Sequence, residues 1–224
     1  RNCLNEDGEI TDILIKDKTI VENSSKIEVS DIPQIDAKNH FVTTPFVDSH
    51  FHMDATLSYG LPRVNRSGTL LEGIKLWGEL KPTLTIDAIK NRARELCKWS
   101  IARGTLAIRS HVDVSGKDLL AVEALLDIKE EMKDWIDLQL VAFPQDGLLR
   151  SNCIKNLIQS LDMGVDVIGG IPHFERTMSD GSESIKILCK LAEQRDLLVD
   201  MHCDESDDPN SRHIETLTYH TNRL

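Results

Sequence analysis

Residues 1 to about 40 read differently from the rest of the chain. In "GEITDILIKDKTIVE" apolar and polar positions alternate with turn signals between, which predicts a strand or a hairpin. The stretch "IDAKNHFVTTPFVDSH" then leads into a short apolar strand, roughly Phe41 to Asp48. From there a helix–strand rhythm sets in. "TLLEGIKLWGEL" carries Thr69 and Glu72 at capping-box spacing. "TIDAIKNRARELCKWSIARG" places Ile86, Ile89, Ala93, Leu96, Cys97 and Ile101 on one helical face, with Gly104 as a stop. The same pattern predicts helices in "KDLLAVEALLDIKEEM", "CIKNLIQSLDMG", "ESIKILCKLAEQRD" and "SRHIETLTYHTN". It predicts strands in "TLAIRSHVDV", "LQLVAFPQ", "VDVIGGIPHF" and "LLVDMHCDE".

Strands therefore begin near residues 42, 105, 138, 165 and 197. The later ones recur about every 30 residues, the length of a βαβ unit. Alternating strands and helices with buried-looking strands imply a parallel α/β sheet. Two architectures fit, an open doubly wound sheet and an eight-stranded (β/α) barrel. A doubly wound nucleotide binder needs a Gly-rich turn after its first strand. Here "HFHMD" follows instead, and no GxGxxG occurs, which favours the barrel. The expected division is a small β unit over residues 1–41 and the βα units over residues 42–224.

Composition narrows the function. Forty per cent of the 224 residues are hydrophobic, and the net charge is −11 with no basic cluster. That argues against a nucleic-acid surface as the main business. Five widely spaced cysteines without a CxxC read as reduced thiols. No apolar run reaches the roughly 18 residues of a membrane span, and no leader pattern is present. A cytoplasmic setting is the expectation.

Polar residues gather at the C-terminal ends of the predicted strands: His50 and His52, then His111 and Asp113, Gln145, His173 and Glu175, and finally His202, Asp204 and Glu205. Catalytic groups of (β/α) barrels lie on that rim. His50 and His52, two apart on a strand, point to the same side. By itself such a pair is more often two hydrogen-bonded polar residues at a strand end. With His202 as a third nitrogen ligand, the balance turns to a Zn or Fe site. Glu205 reads either as a proton shuttle beside a metal-activated water, or as a helix cap or a solvated acidic turn. Gln145 offers a donor and an acceptor to a ring with adjacent N–H and C=O groups, although a buried amide satisfied by backbone is the commoner case. His111 and His173 read as structural more than as ligands. His40, His213 and His220 sit on turns or polar helix faces and carry no signal. The H-x-E with P-C-x-x-C of the other zinc base deaminases is absent.

The stretches "PFVDSHFHMD", "SGTLLEGIKLW", "RSHVDV", "WIDLQLVAFPQDG", "GGIPHFE" and "DMHCDE" resemble the bacterial cytosine deaminase branch of the amidohydrolase superfamily. HxH is common to the whole superfamily, while FPQ, IPHFE and HCDE together are more specific and favour the cytosine-like branch over the triazine one. The resemblance implies a (β/α)₈ metal-dependent hydrolase barrel, here its first five strands, beside part of a small N-terminal β-sandwich. It implies one divalent Fe or Zn ion held by His50, His52 and His202, with Glu205 as the proton shuttle. Gln145 becomes a contact to the pyrimidine edge and Leu70 an apolar contact to the ring. The substrate is a small nucleobase, and the full-length form is a homo-oligomer. The segment from Asp48 to the second strand makes a wall or lid over the rim. The family also uses a histidine after strand six and an aspartate after strand eight, which this sequence does not contain. The chain is therefore expected to be a fragment of a longer enzyme, with weak metal binding and little turnover by itself. Isoguanine, 5-methylcytosine, creatinine-like rings and N-substituted triazines stand as alternative substrates.

Overall fold

The structure is a computed structural model, and it describes residues 1–29 and 31–222. The chain forms two compact units, Arg1–Pro45 and Phe46–Leu224.

The first unit is a three-stranded antiparallel sheet of β1 (Cys3–Leu4), β2 (Ile10–Lys16) and β3 (Thr19–Ser24). β2 and β3 are joined by Asp17 and Lys18, both at positive φ, which is the conformation a two-residue hairpin turn needs to match strand twist. The apolar strand expected from Phe41 begins later than predicted. Phe41 instead bridges Leu4, and the Leu4 N–H donates to the His40 carbonyl at 3.0 Å, so residues 40–42 belong to the N-terminal sheet. Pro45, which has no N–H to give a ladder, ends this segment.

The second unit holds five parallel strands: β4 (Phe46–Phe51), β5 (Thr105–Asp113), β6 (Asp137–Phe143), β7 (Val167–Gly170) and β8 (Leu198–Met201). Their order in the sheet is their order in the chain. A doubly wound sheet reverses direction at a switch point; this one never does, so it winds one way as a barrel does. Helices α2 (Ile86–Ile101), α3 (Leu120–Met132), α4 (Ile154–Asp162) and α5 (Met178–Arg195) provide the crossovers, α1 (Leu70–Leu80) is an extra helix before the first, and α6 (His213–Thr221) follows β8. No helix among the described residues is long and apolar enough to cross a membrane.

The period of each segment explains its place. In α2 the buried residues are Ile89, Ala93 and Cys97, spaced by four, and Thr85 caps the helix by accepting the Ala88 N–H. In β6, Leu138, Leu140 and Ala142 join the apolar cluster with Leu125, Ile128 and Leu157, while the alternate residues Gln139, Val141 and Phe143 face the other side. The capping box at α1 is half realised. Thr69 accepts the Glu72 N–H, but Glu72 accepts from Ser67 and Arg63 instead of closing the box.

Candidate metal centre

The face of the sheet opposite the helices carries the polar residues, and it is strongly curved. Arg109 on β5 donates to Asp200 on β8 at 3.0 Å, although β6 and β7 lie between those strands. On β5, Arg109 and His111 are two apart and share this face, as do Asp200 and His202 at the end of β8. Phe143, fully buried at the end of β6, forms the floor. Its ring centroid lies 4.5 Å from that of His202 and 5.2 Å from that of His111.

His50, His52 and His202 meet at the rim. One ring nitrogen from each lies within 4.8 Å of the others, and the Nε2 atoms of His52 and His202 are 3.2 Å apart. A cation with bonds of about 2.1 Å to nitrogen holds its ligands at nearly that separation. Burial, reinforced by His111 and His50, pushes the His52 imidazole down to about 4. Burial, then His111, His52 and His50, pushes His202 down to about 3. Neutral imidazole is the form that ligates metal. His202 Nδ1 is buried without a hydrogen-bond partner among the described residues. The three side chains therefore fit a divalent ion. His173, from the short turn after β7, donates through Nδ1 to the His202 carbonyl at 3.1 Å and so braces the strand end.

His111 is fully buried, with its ring centroid 4.7 Å from those of both His50 and His202. Its Nε2 approaches Asp200 Oδ1 at 3.4 Å, close enough for charge pairing but not an aligned hydrogen bond. His111, and Arg109 after it, hold the Asp200 carboxyl down at about 2. His50, His111 and Asp200 form a second group of potential ligands, but Arg109 already occupies the other oxygen of Asp200. Asp200 and Arg109 escape a reading of the sequence that looks only at strand ends. The signal for them is the two-residue step back along the same strand face.

The remaining expected residues take distinct positions. Glu205 lies exposed in the loop after β8, three residues past His202, and its carboxylate has no hydrogen bond or ion pair among the described residues. It does not cap the next helix, because Asp204 does. The Asp204 carboxylate accepts the backbone N–H groups of His213 and Ile214 at 2.8 and 3.0 Å and the Ser211 hydroxyl at 2.6 Å. With φ at +59°, Asp204 turns the chain sharply between His202 and Glu205. Gln145 lies half-buried in the turn after β6, and its side-chain amide has no partner among the described residues. Leu70 opens α1 and is 56% exposed. His213, expected on a polar helix face, is buried instead. It packs against Gly181 of α5, where a side-chain carbon would lie 2.2 Å from its Cε1. The docking of α6 on α5, which local periodicity does not reveal, accounts for that difference.

Two further clusters frame the rim. Asp54, buried just after the His pair, accepts the Asp113 N–H at 2.9 Å, and burial raises its carboxyl to about 7. Lys81, which follows α1, donates to Asp113 at 2.7 Å and to Asp146 at 2.8 Å, and these charges hold its pKa above the ordinary lysine value despite its burial.

A sequence model of the Amidohydrolase family matches residues 34–224. The chain is 37% identical over 209 residues to N-isopropylammelide isopropyl amidohydrolase of Pseudomonas sp. (strain ADP), covering 89% of this chain and 51% of the relative. Among solved structures, 5-methylcytosine deaminase from Klebsiella pneumoniae is 38% identical with a TM-score of 0.88, over 99% of this chain and 55% of that one. N-isopropylammelide isopropylaminohydrolase from Burkholderia multivorans has a TM-score of 0.79 at 23% identity, over 100% of this chain and 57% of that one, a likeness of fold. The chain thus spans about half the length of these proteins.

Proposed function

Because the chain belongs to the amidohydrolase family, we propose that it supplies the metal-binding strands of a hydrolase that deaminates cytosine or a close aminopyrimidine, giving uracil, or its analogue, and ammonia. The observation that carries this reading is the meeting of His50, His52 and His202 from the ends of β4 and β8. The likeness to a 5-methylcytosine deaminase over 99% of the chain supports the pyrimidine ring.

His50, His52 and His202 would hold one divalent ion, Fe or Zn; borderline cations of this kind accept imidazole nitrogen, which leaves both open. When bound, such an ion would acidify the attacking water. The protein's own residues then perform the rest. Glu205 takes the proton from the attacking water as its oxygen adds at C4, and delivers it to ring N3. Glu205 next carries the remaining proton of the new C4 hydroxyl to the exocyclic amine, the C4–N bond breaks as the C4 carbonyl forms, and ammonia leaves. Gln145, with a free amide, pairs with the N–H and C=O edge so that C4 faces the water. Leu70 gives the ring face an apolar neighbour.

A second reading keeps the fold and the C–N hydrolysis but changes the ring to an N-substituted triazine. The Pseudomonas relative favours it, at an identity one percentage point below that of the pyrimidine deaminase. Overall likeness does not choose between the two rings. Ammonia and amine release are measured for the protein produced from its intact reading frame, with Zn²⁺ or Fe²⁺, over cytosine, 5-methylcytosine, isoguanine, a creatinine-like ring and N-isopropylammelide. The expected result is turnover of the aminopyrimidines with kcat/KM at least about tenfold above the others, a difference of about 1.4 kcal/mol in transition-state binding. A preference for the triazine moves the assignment to the second reading, and no turnover of any ring removes both.

A further inference from the structure

The cluster around Lys81 joins three parts of the rim that are distant in sequence. Lys81 stands one turn after Trp77, at the end of the helix that begins with Leu70. Its Nζ reaches Asp113 Oδ2 at 2.7 Å, at the end of β5, and Asp146 Oδ2 at 2.8 Å, next to Gln145. Trp77 Nε1 donates to the same Asp113 oxygen at 3.0 Å. The other Asp113 oxygen accepts the Ser115 N–H at 2.8 Å, and Ser115 Oγ accepts the Asp146 N–H at 2.9 Å. Asp146 is thereby pinned through both its backbone and its carboxylate. Only 4% of the Asp113 side chain and 21% of that of Lys81 are exposed.

We propose that Lys81 is a positioning residue that ties the helix carrying Leu70 to the loop carrying Gln145 and so sets how tightly the substrate ring is held. This rests on the reading of Gln145 and Leu70 as ring contacts. The physical reason is the placement of the charges. An exposed lysine paired with one carboxylate is loosely held. Lys81 bridges two carboxylates, one at the end of β5 and one in the loop after β6, in a largely desolvated position, where each hydrogen bond is charge-assisted and directional. The Gln145 N–H donates to the Phe143 carbonyl at 2.9 Å, but its side-chain amide has no partner among the described residues, so the place of that amide is set by its neighbours. Asp146 is the next residue, and its carboxylate is held by Lys81 at the end of the helix that begins with Leu70. None of these groups lies in the histidine cluster, so the tie acts on ring binding and leaves the hydrolytic step alone.

The test uses the protein produced from its intact reading frame, with the substrate it turns over fastest. Asp146→Asn leaves the buried Lys81–Asp113 pair intact and takes the charge, and with it the charge-assisted bond, from only the half-exposed arm, so the fold is preserved. Lys81→Met removes both arms and keeps the length of the side chain. Each variant is expected to raise KM about tenfold with kcat within about threefold of the unaltered protein, the signature of lost binding that is equal in ground and transition states. Lys81→Arg, which keeps the charge and both acceptors, is expected to recover part of that loss. Lys81→Met also shifts the emission of Trp77, whose indole shares the Asp113 oxygen. A merely structural role lowers the melting temperature and the active fraction but does not move KM. Unchanged KM in Asp146→Asn and Lys81→Met, in a protein that turns over its ring, overturns the positioning role alone. Absence of turnover by the unaltered protein overturns the functional reading and this inference with it.

Discussion

His52 and His202 approach within 3.2 Å through their Nε2 atoms, although they come from the ends of the first and last strands of a five-stranded sheet. In a flat sheet four strand spacings amount to about 19 Å, more than two imidazole side chains can bridge. The contact therefore measures the curvature of the sheet. Twist and coiling, driven by helices packed on one face, bring the two edges toward each other, and the candidate metal centre exists only because of that curvature.

Metal affinity should follow from this contact. The chain with its three histidines is expected to bind Zn²⁺ or Co²⁺ with a stoichiometry near one, read by calorimetric titration. His202→Ala removes the ligand that follows β8 in the three-histidine group, and affinity is expected to fall by about a hundredfold or more. His173→Ala removes the hydrogen bond to the His202 carbonyl, and a smaller loss of about tenfold is expected. Equal affinity in His202→Ala would show that the three nitrogens do not share an ion.

The stability of the metal-free chain should depend on pH through the same side chains. His52 and His202 titrate near 4 and 3 when folded, against an ordinary value of 6.5. Between 6.5 and about 4 the unfolded chain binds more protons at these two positions. Their contribution to stability is therefore fully present above 6.5 and is lost as the pH falls through about 4 for His52 and about 3 for His202. Asp54, raised to about 7, acts in the opposite direction, since the folded state holds its proton where the unfolded state does not. The diagnostic is the difference between proteins. Urea midpoints measured at pH 7 and pH 5 in the presence of a chelator should decline less, or rise more, in His202→Asn than in the unaltered chain. Identical pH dependence in the two proteins would remove His202 as a buried neutral group.

Glu205 has a carboxylate without a partner among the described residues, since Asp204 satisfies the start of α6. Glu205→Gln is expected to keep the melting temperature and the metal content, while turnover of the best ring substrate falls by about 10²–10⁴-fold. Steady-state kinetics with metal analysis on the same sample checks it. Retained turnover would assign the proton transfer to another group.

Gly181 tests the packing of α6. A side-chain carbon there would lie 2.2 Å from His213 Cε1 and 2.6 Å from the Pro172 carbonyl oxygen. Gly181→Ala is expected to destabilise the chain by about 1–3 kcal/mol. Gly181→Ala with His213→Ala should recover only part of the loss, because the Pro172 backbone cannot yield. Denaturant unfolding of both variants decides; a neutral Gly181→Ala would show that α6 does not pack as described.

Much of this molecule was legible along the chain. Period-two and period-3.6 patterns located the five parallel strands and the helices between them, because burial of one face leaves a regular trace in sequence. The residues that gather at the rim could be named in advance, since the C-terminal end of a strand is defined by the pattern itself. The boundary at Phe41 was misplaced because an apolar residue followed by Val42 looks the same whether it pairs with β5 or with Leu4. Only the tertiary structure decided which imidazoles meet, that Asp204 rather than Glu205 caps α6, that His213 is buried, and that Lys81 ties the end of β5 to the loop after β6. Each of these depends on distances between segments far apart in the chain. Such distances are set by sheet curvature and helix docking, which are properties of the whole packing and leave no local period to read.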